Sequence, residues 1–266
     1  MDMRIHEPVL RLHGLVAWLS ILFLTATVST APADQADAYW HKGEELYEAH
    51  HLAPGRFEEA LAYYEKAVAL RPGDYRFLWE LSKRYQIYGQ TLGEDQRRQK
   101  LKAWKKGARH GRRAVDAEPN GKEGHFYYMA NLGAIAQLKG TLDSLWRFPK
   151  IRNHMENALR LDPDWPPALL AKAQYLMEIP GLFGGDKEEA RSLLQRVVEL
   201  DPDHLPTYVA LARLLTLEGR YEEALASLDK VLLCEKPRHV ANYVKVDRPR
   251  AEAVRDEIMK KRSVAR

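Results

Sequence analysis

His41, Glu44, Glu45, Glu48, His50 and His51 crowd one short stretch, and His41 with Glu45 stands at the i, i+4 spacing that could put two ligands on one helix face. Two such groups on a surface helix arise readily in a chain with 10 histidines and many glutamates, so no metal site is expected. Cys234 is the only cysteine, which excludes an intramolecular disulfide and a cysteine-based metal cluster. It follows the apolar Val231-Leu232-Leu233 and reads as a packed thiol rather than a nucleophile. The carboxylate pairs Glu58-Glu59 and Glu222-Glu223 recur in matching local contexts, where acidic residues suit the start of a helix, and so are not an acid and base pair. No G-x-S-x-G, H-E-x-x-H, Walker A or G-x-G-x-x-G run occurs. The sequence points to binding without catalysis and without a cofactor.

The elements that must carry such binding are written several times over. Arg56-Phe57-Glu58-Glu59-Ala60-Leu61, with Tyr64, Ala67 and Leu70-Arg71-Pro72 after it, returns as Arg220-Tyr221-Glu222-Glu223-Ala224-Leu225 with Leu228 and Val231. Between them lie Asp186-Lys187-Glu188-Glu189-Ala190, Leu200-Asp201-Pro202-Asp203 and Leu159-Arg160-Leu161-Asp162-Pro163-Asp164. This unit resembles the tetratricopeptide repeat, a pair of helices with small residues at the crossing, a Gly turn and a closing Pro. The closing positions Pro72, Pro119, Pro163, Pro202 and Lys236 are separated by 47, 44, 39 and 34 residues, so the earlier copies carry insertions. The expectation is an all-α superhelix of about five helix pairs, roughly 36–72, 74–119, 123–163, 166–202 and 205–236, stacked to leave one concave wall. Small residues at Gly43, Ser82, Gly133, Ala173 and Ala212 are expected to let the paired helices approach closely.

Aligning the copies on that small position places the same turns of each first helix on the concave wall. The candidate binding residues are Trp40, Glu44, Tyr47, Arg76, Trp79, Lys83, Gln86, Tyr127, Gln137, Gln174, Met177 and Arg213. Exposed Trp, Tyr and Arg commonly anchor interfaces, while the alternative for Trp40 and Trp79 is to fill the core between helices. Asn131, an amide in the apolar run Phe126 to Leu138, joins the candidates; it must find a partner in the fold or in a ligand.

The insertions carry a second resemblance. Ile179-Pro180-Gly181-Leu182-Phe183-Gly184-Gly185-Asp186 is similar to the P-G-x-x-G-G-D element of the T-component family, periplasmic tetratricopeptide proteins associated with TRAP-type transporters. Tyr128-Met129-Ala130-Asn131-Leu132-Gly133 and Ser144-Leu145-Trp146-Arg147-Phe148-Pro149-Lys150-Ile151 are similar to that family and to the related regulator-of-microtubule-dynamics group. The T-component resemblance implies a periplasmic scaffold that pairs with an extracytoplasmic solute-binding protein, as a homo-oligomer or not, and handles a hydrophobic small ligand. A general adaptor in cell-envelope assembly or secretion is the alternative. Within the element itself, Gly184 and Gly185 supply turn geometry and Asp186 is placed to cap the helix after it.

At the N-terminus, Gly14 to Ala31 is apolar or small throughout, preceded by Arg4 and Arg11 and followed by Ala31-Pro32-Ala33. This reads as a secretory signal peptide over residues 1–33, with an uncleaved inner-membrane anchor as its rival; either puts the remainder in the periplasm or outside the cell. The repeat domain is expected over 34–246, and 247–266 as a charged closing helix and tail. The formal charge is only +4, yet nine basic residues and no acidic one lie between Arg97 and Arg113. That segment reads first as a solvated helix face, with docking to an acidic partner or lipid headgroups as the functional alternative; nucleic acid is not the expected partner.

Overall fold

The computed structural model describes residues 32–264, so the apolar run at 14–31 and the last two residues lie outside the description. Ten helices form the five expected pairs: α1 (Pro32–Glu48) with α2 (Arg56–Leu70), α3 (Tyr75–Thr91) with α4 (Arg97–Ala117), α5 (Lys122–Lys139) with α6 (Thr141–Leu161), α7 (Pro166–Glu178) with α8 (Lys187–Leu200), and α9 (Leu205–Leu217) with α10 (Tyr221–Leu232). Among the described residues there is no strand, and no helix is long and apolar enough to cross a membrane. The insertion near residue 95 is ordered as a 3-10 turn, Glu94–Gln96, that leads directly into α4.

Local chemistry sets the boundaries. Asp74 accepts a hydrogen bond from the Phe77 amide at 3.0 Å, and Asp186 accepts from the Glu188 and Glu189 amides at 2.9 Å each, caps worth about 1 kcal/mol apiece. Gly55 and Gly219 precede α2 and α10 at φ +80° and +76°, a conformation other residues resist. Gly184 has φ +95°, whereas its neighbour Gly185 is needed for space: a Cβ there would sit 1.7 Å from the Ile179 carbonyl oxygen.

Close packing within pairs rests on small residues, though not on all those expected. A Cβ on Gly43 would meet the Tyr64 ring at 2.6 Å, and fully buried Ser82 donates to the Gly107 carbonyl at 2.8 Å. Gly133 is a correction: nothing lies within 4 Å of where its Cβ would be, because it borders open space. The tight approach of α5 is made instead to Gly107 and Gly111 on α4, where a Cβ would meet the Asn131 side chain at 2.2 Å and the Tyr128 backbone at 2.7 Å.

Beyond α10 the chain does something the repeat pattern does not describe. A turn of helix, α11 (Val240–Asn242), and a π-helical turn, Tyr243–Asp247, form a strap that leads into α12 (Arg248–Val264). The strap faces two cores. Tyr243 packs with the C-terminal cluster and donates to the Val231 carbonyl at 3.0 Å, while Val246 packs into the core of the first two pairs and Asn242 accepts from the Tyr47 hydroxyl at 2.7 Å. Helix α12 buries Ala251, Val254 and Ile258 against α9 and α10.

Candidate binding channel

The inner faces of α3, α5, α7 and α9, together with the strap and α12, line a channel of about 1370 Å³. Residues one or two helical turns apart present themselves in register: Trp79, Lys83 and Gln86 from α3, Tyr127, Ala130 and Gln137 from α5, Gln174 and Met177 from α7, and Val209, Arg213 and Thr216 from α9. Of the residues expected on the concave wall, Trp79, Lys83, Gln86, Tyr127, Gln137, Gln174, Met177 and Arg213 all line it.

The remaining five do not, and the reasons are physical. Trp40 is a core residue, 3% exposed, stacked 4.5 Å and 4° from Phe77 and tilted 4.6 Å from Tyr64. Tyr47 is buried under the strap by its bond to Asn242. Glu44 accepts from Arg84 at 2.8 and 3.0 Å and from the Tyr64 hydroxyl at 2.7 Å, which leaves it occupied inside the fold. Arg76 is exposed beside Phe77, outside the channel. Asn131 is fully buried and ties α5 to α3, its Nδ2 donating to the Ser82 carbonyl and hydroxyl at 3.2 Å each and to the Tyr127 carbonyl at 2.8 Å. The strap thus covers the first pair's share of the wall, and the open channel begins at α3.

Aromatic rings form the apolar part of the lining. Trp79 and Tyr127 stack at 5.7 Å and 8°, Phe126 meets Trp165 edge-on at 4.9 Å, and Phe148 meets Tyr175 edge-on at 6.3 Å. Sequence alignment singled out only the first two; Phe126 and Tyr175 stand beside the aligned positions on α5 and α7, Phe148 is on the second helix of its pair, and Trp165 is at a pair junction. Cations are the polar part. Lys83 Nζ lies 5.9 Å from the Tyr127 ring centre and, like Arg213 and Arg250, is in no ion pair among the described residues. Burial, with Arg84 beside it, pulls the Lys83 ammonium below its ordinary value. Burial lowers Arg250 as well, with Asp247 opposing the shift and Arg213 adding to it. Asp247 is itself pushed up by burial to about 6, against the pull of Arg250. By contrast, Glu178 and Asp201 on the same lining are already engaged, by Gln137 at 3.0 Å and by Arg238 at 2.8 and 3.0 Å. A wall of stacked rings beside cations that make no close ion pair among the described residues suits an anionic group on an apolar stem.

The fold has known counterparts. The chain covers 98% of TTC0263, a thermophilic tetratricopeptide protein of Thermus thermophilus, over 82% of its own length, with 21% identity and a TM-score of 0.59. Yeast Tom70 matches at 15% identity and a TM-score of 0.51, with 87% of this chain and 41% of that one covered. Pseudomonas aeruginosa PilF matches at 16% and 0.50, with 86% and 92% covered. At these identities the likeness shows the fold alone. No curated protein matches the chain in sequence. The tetratricopeptide profile matches residues 185–242. The profile described as regulator of microtubule dynamics protein 1-3 matches residues 45–179, just over half of the chain and most of the channel wall. The chain is therefore a tetratricopeptide-type scaffold that belongs to the regulator of microtubule dynamics protein 1-3 family.

Proposed function

We propose that the protein is a non-catalytic scaffold whose channel holds a segment of a protein partner bearing a carboxylate on an apolar stem. One observation carries this reading: Trp79 stacked on Tyr127 beside Lys83, Arg213 and Arg250, three cations in no ion pair among the described residues. A small apolar ligand with an acidic end has the same chemistry and would occupy the same wall. In this reading the N-terminal apolar run exports the chain to the periplasm, free or anchored. The similarity of the Gly184-Gly185-Asp186 loop to T-components makes an extracytoplasmic solute-binding protein the first partner to test, with envelope-assembly proteins as the alternative.

The test is crosslinking capture from native envelope fractions with the parent chain and a Trp79→Ala, Lys83→Glu variant. The parent is expected to enrich a discrete partner and the variant to lose it, at unchanged helicity by circular dichroism. Equal capture by both would remove the channel from the interaction. Recovery of the chain from the cytosolic fraction would overturn the export reading, and recovery of envelope-assembly proteins in place of a solute-binding protein would move the function to the general adaptor.

A further inference from the structure

Helix α4 divides its nine cations into two sets. Four are used inside the fold: Arg97 donates to the Leu138 carbonyl, Lys100 pairs with Glu94, Lys106 pairs with Glu65 at 2.7 Å, and Arg113 donates to the Pro72 carbonyl at 2.6 Å. The other five, Arg98, Lys102, Lys105, Arg109 and Arg112, are all exposed. Their spacing of four, three, four and three residues puts them on one line along the helix, within an arc of about 80° and over about 21 Å. Of these five, Arg112 alone is in an ion pair among the described residues, with Asp116 at 3.8 Å. Acids on the adjacent helices are already held, Glu65 by Lys106 and Tyr85, and Glu156 by Arg152. Elsewhere on the surface, exposed arginines such as Arg196, Arg220, Arg238 and Arg248 sit in ion pairs. With nine positive charges on this helix and +4 on the whole chain, the remainder of the molecule is net acidic. The charge is concentrated where the fold does not use it.

We propose that the outer face of α4 is a docking surface for an anionic lipid membrane. The stripe is straight, and its opposite side supplies the buried residues Ala103, Trp104, Gly107 and Ala114. It offers no aromatic ring to an unstacked base, since Trp104 points inward and donates to the Gln86 carbonyl at 3.1 Å. Nor does it offer an apolar anchor of the kind that fixes one polypeptide in place. A row of point charges without shape fits a surface whose negative charge is spread and mobile, and each Lys or Arg brought to such a surface strengthens binding about fivefold. The line includes α4's exposed side only, so the channel on the other side of the helix pairs stays free for its own ligand.

The test is sedimentation of the full chain with vesicles of phosphatidylcholine alone and of phosphatidylcholine with about one-third phosphatidylglycerol, at about 0.1 and about 0.5 M salt. Neutral vesicles measure whatever the N-terminal apolar run contributes, and the increment with anionic lipid measures the stripe. The increment is expected to vanish at high salt and to fall by two orders of magnitude or more in Arg98→Gln, Lys102→Gln, Lys105→Gln, Arg109→Gln, a variant whose four changed side chains are exposed and make no ion pair among the described residues. Arg98→Lys, Arg109→Lys is expected to keep it. Equal binding to both vesicle types, or anionic binding unchanged in the glutamine variant, overturns the proposal. Binding to polyglutamate with no binding to anionic vesicles also overturns it and assigns the face to an acidic protein.

Discussion

At the scale of single residues, the chain's glycines show how far a pattern can be trusted. Gly133 occupies the position where the repeat expects a small residue for close packing, yet its Cβ position is empty, while Gly111, which the pattern left unremarked, presses on the Tyr128 backbone. Gly111→Ala is therefore expected to push α4 from α5 and destabilise the fold by about 1–3 kcal/mol. Gly133→Ala is expected to be neutral or to stabilise by up to about 1 kcal/mol, because only helix propensity changes. Urea unfolding midpoints of the two variants check this, and a Gly111→Ala chain as stable as the parent would mean that the helices are not in such close contact. Trp40 teaches the same lesson from the other side. It shares an alignment column with Trp79, yet its ring packs on Tyr64 and Phe77 inside the core, whereas Trp79 stacks on Tyr127 at the channel wall.

At the scale of elements, helix pairs were legible because apolar periodicity, caps and closing prolines are local signals. What joins the elements was less so, and three histidines between helices illustrate it. His110 of α4 lies parallel to Tyr85 of α3, and His125 of α5 meets His154 of α6 with their Nδ1 atoms 2.8 Å apart. His125 Nε2 donates to the Pro119 carbonyl at 2.9 Å, which leaves its Nδ1 to share the hydrogen bond with His154 Nδ1. Burial lowers His110 to about 4, with Arg113 reinforcing it, and lowers His154 to about 4, with His125 and Lys150 reinforcing it. An unfolded histidine takes its proton near pH 6.5, before either folded ring does, so stability is intact above that value and is lost as pH falls toward about 4. His110 accounts for up to about 3 kcal/mol of the loss, and the half-exposed His154, screened by solvent, for less. Asp247 acts in the opposite sense below pH 6, since its raised value favours the protonated fold, and offsets part of the change. Urea midpoints measured from pH 7 to 4 should therefore fall, and His110→Phe combined with His154→Phe should flatten the fall. A parent chain with a level profile across that window would contradict the assignment.

At the scale of the whole described fold, the strap decides how the pairs behave together. In a plain helical array each pair touches only its neighbours, stability is nearly a sum of local terms, and the two ends can melt apart. Here residues 195 positions apart in sequence, Tyr47 and Asn242, share a hydrogen bond, and Val246 inserts into a core built by α1, α2 and α3 while Tyr243 three residues earlier belongs to the core of α9, α10 and α12. No local sequence signal marks this, since Tyr243–Asp247 lies past the end of the tetratricopeptide match and its meaning lies in contacts with the far end. The same strap removed Tyr47 from the expected binding wall, brought Asp247 onto it and leads into α12, which places Arg250 there. Because first and last pairs are tied, the parent is expected to unfold in one calorimetric transition whose van't Hoff and calorimetric enthalpies agree. Val246→Asp places a carboxylate in the apolar N-terminal core and should release the strap there without touching the residues of α12 that cover the last pair. That variant is expected to show two transitions, one for each end of the array. Two transitions in the parent, or a single one in the variant at lower temperature, would mean that neighbour contacts alone set the cooperativity and that the strap closes the channel without coupling its walls.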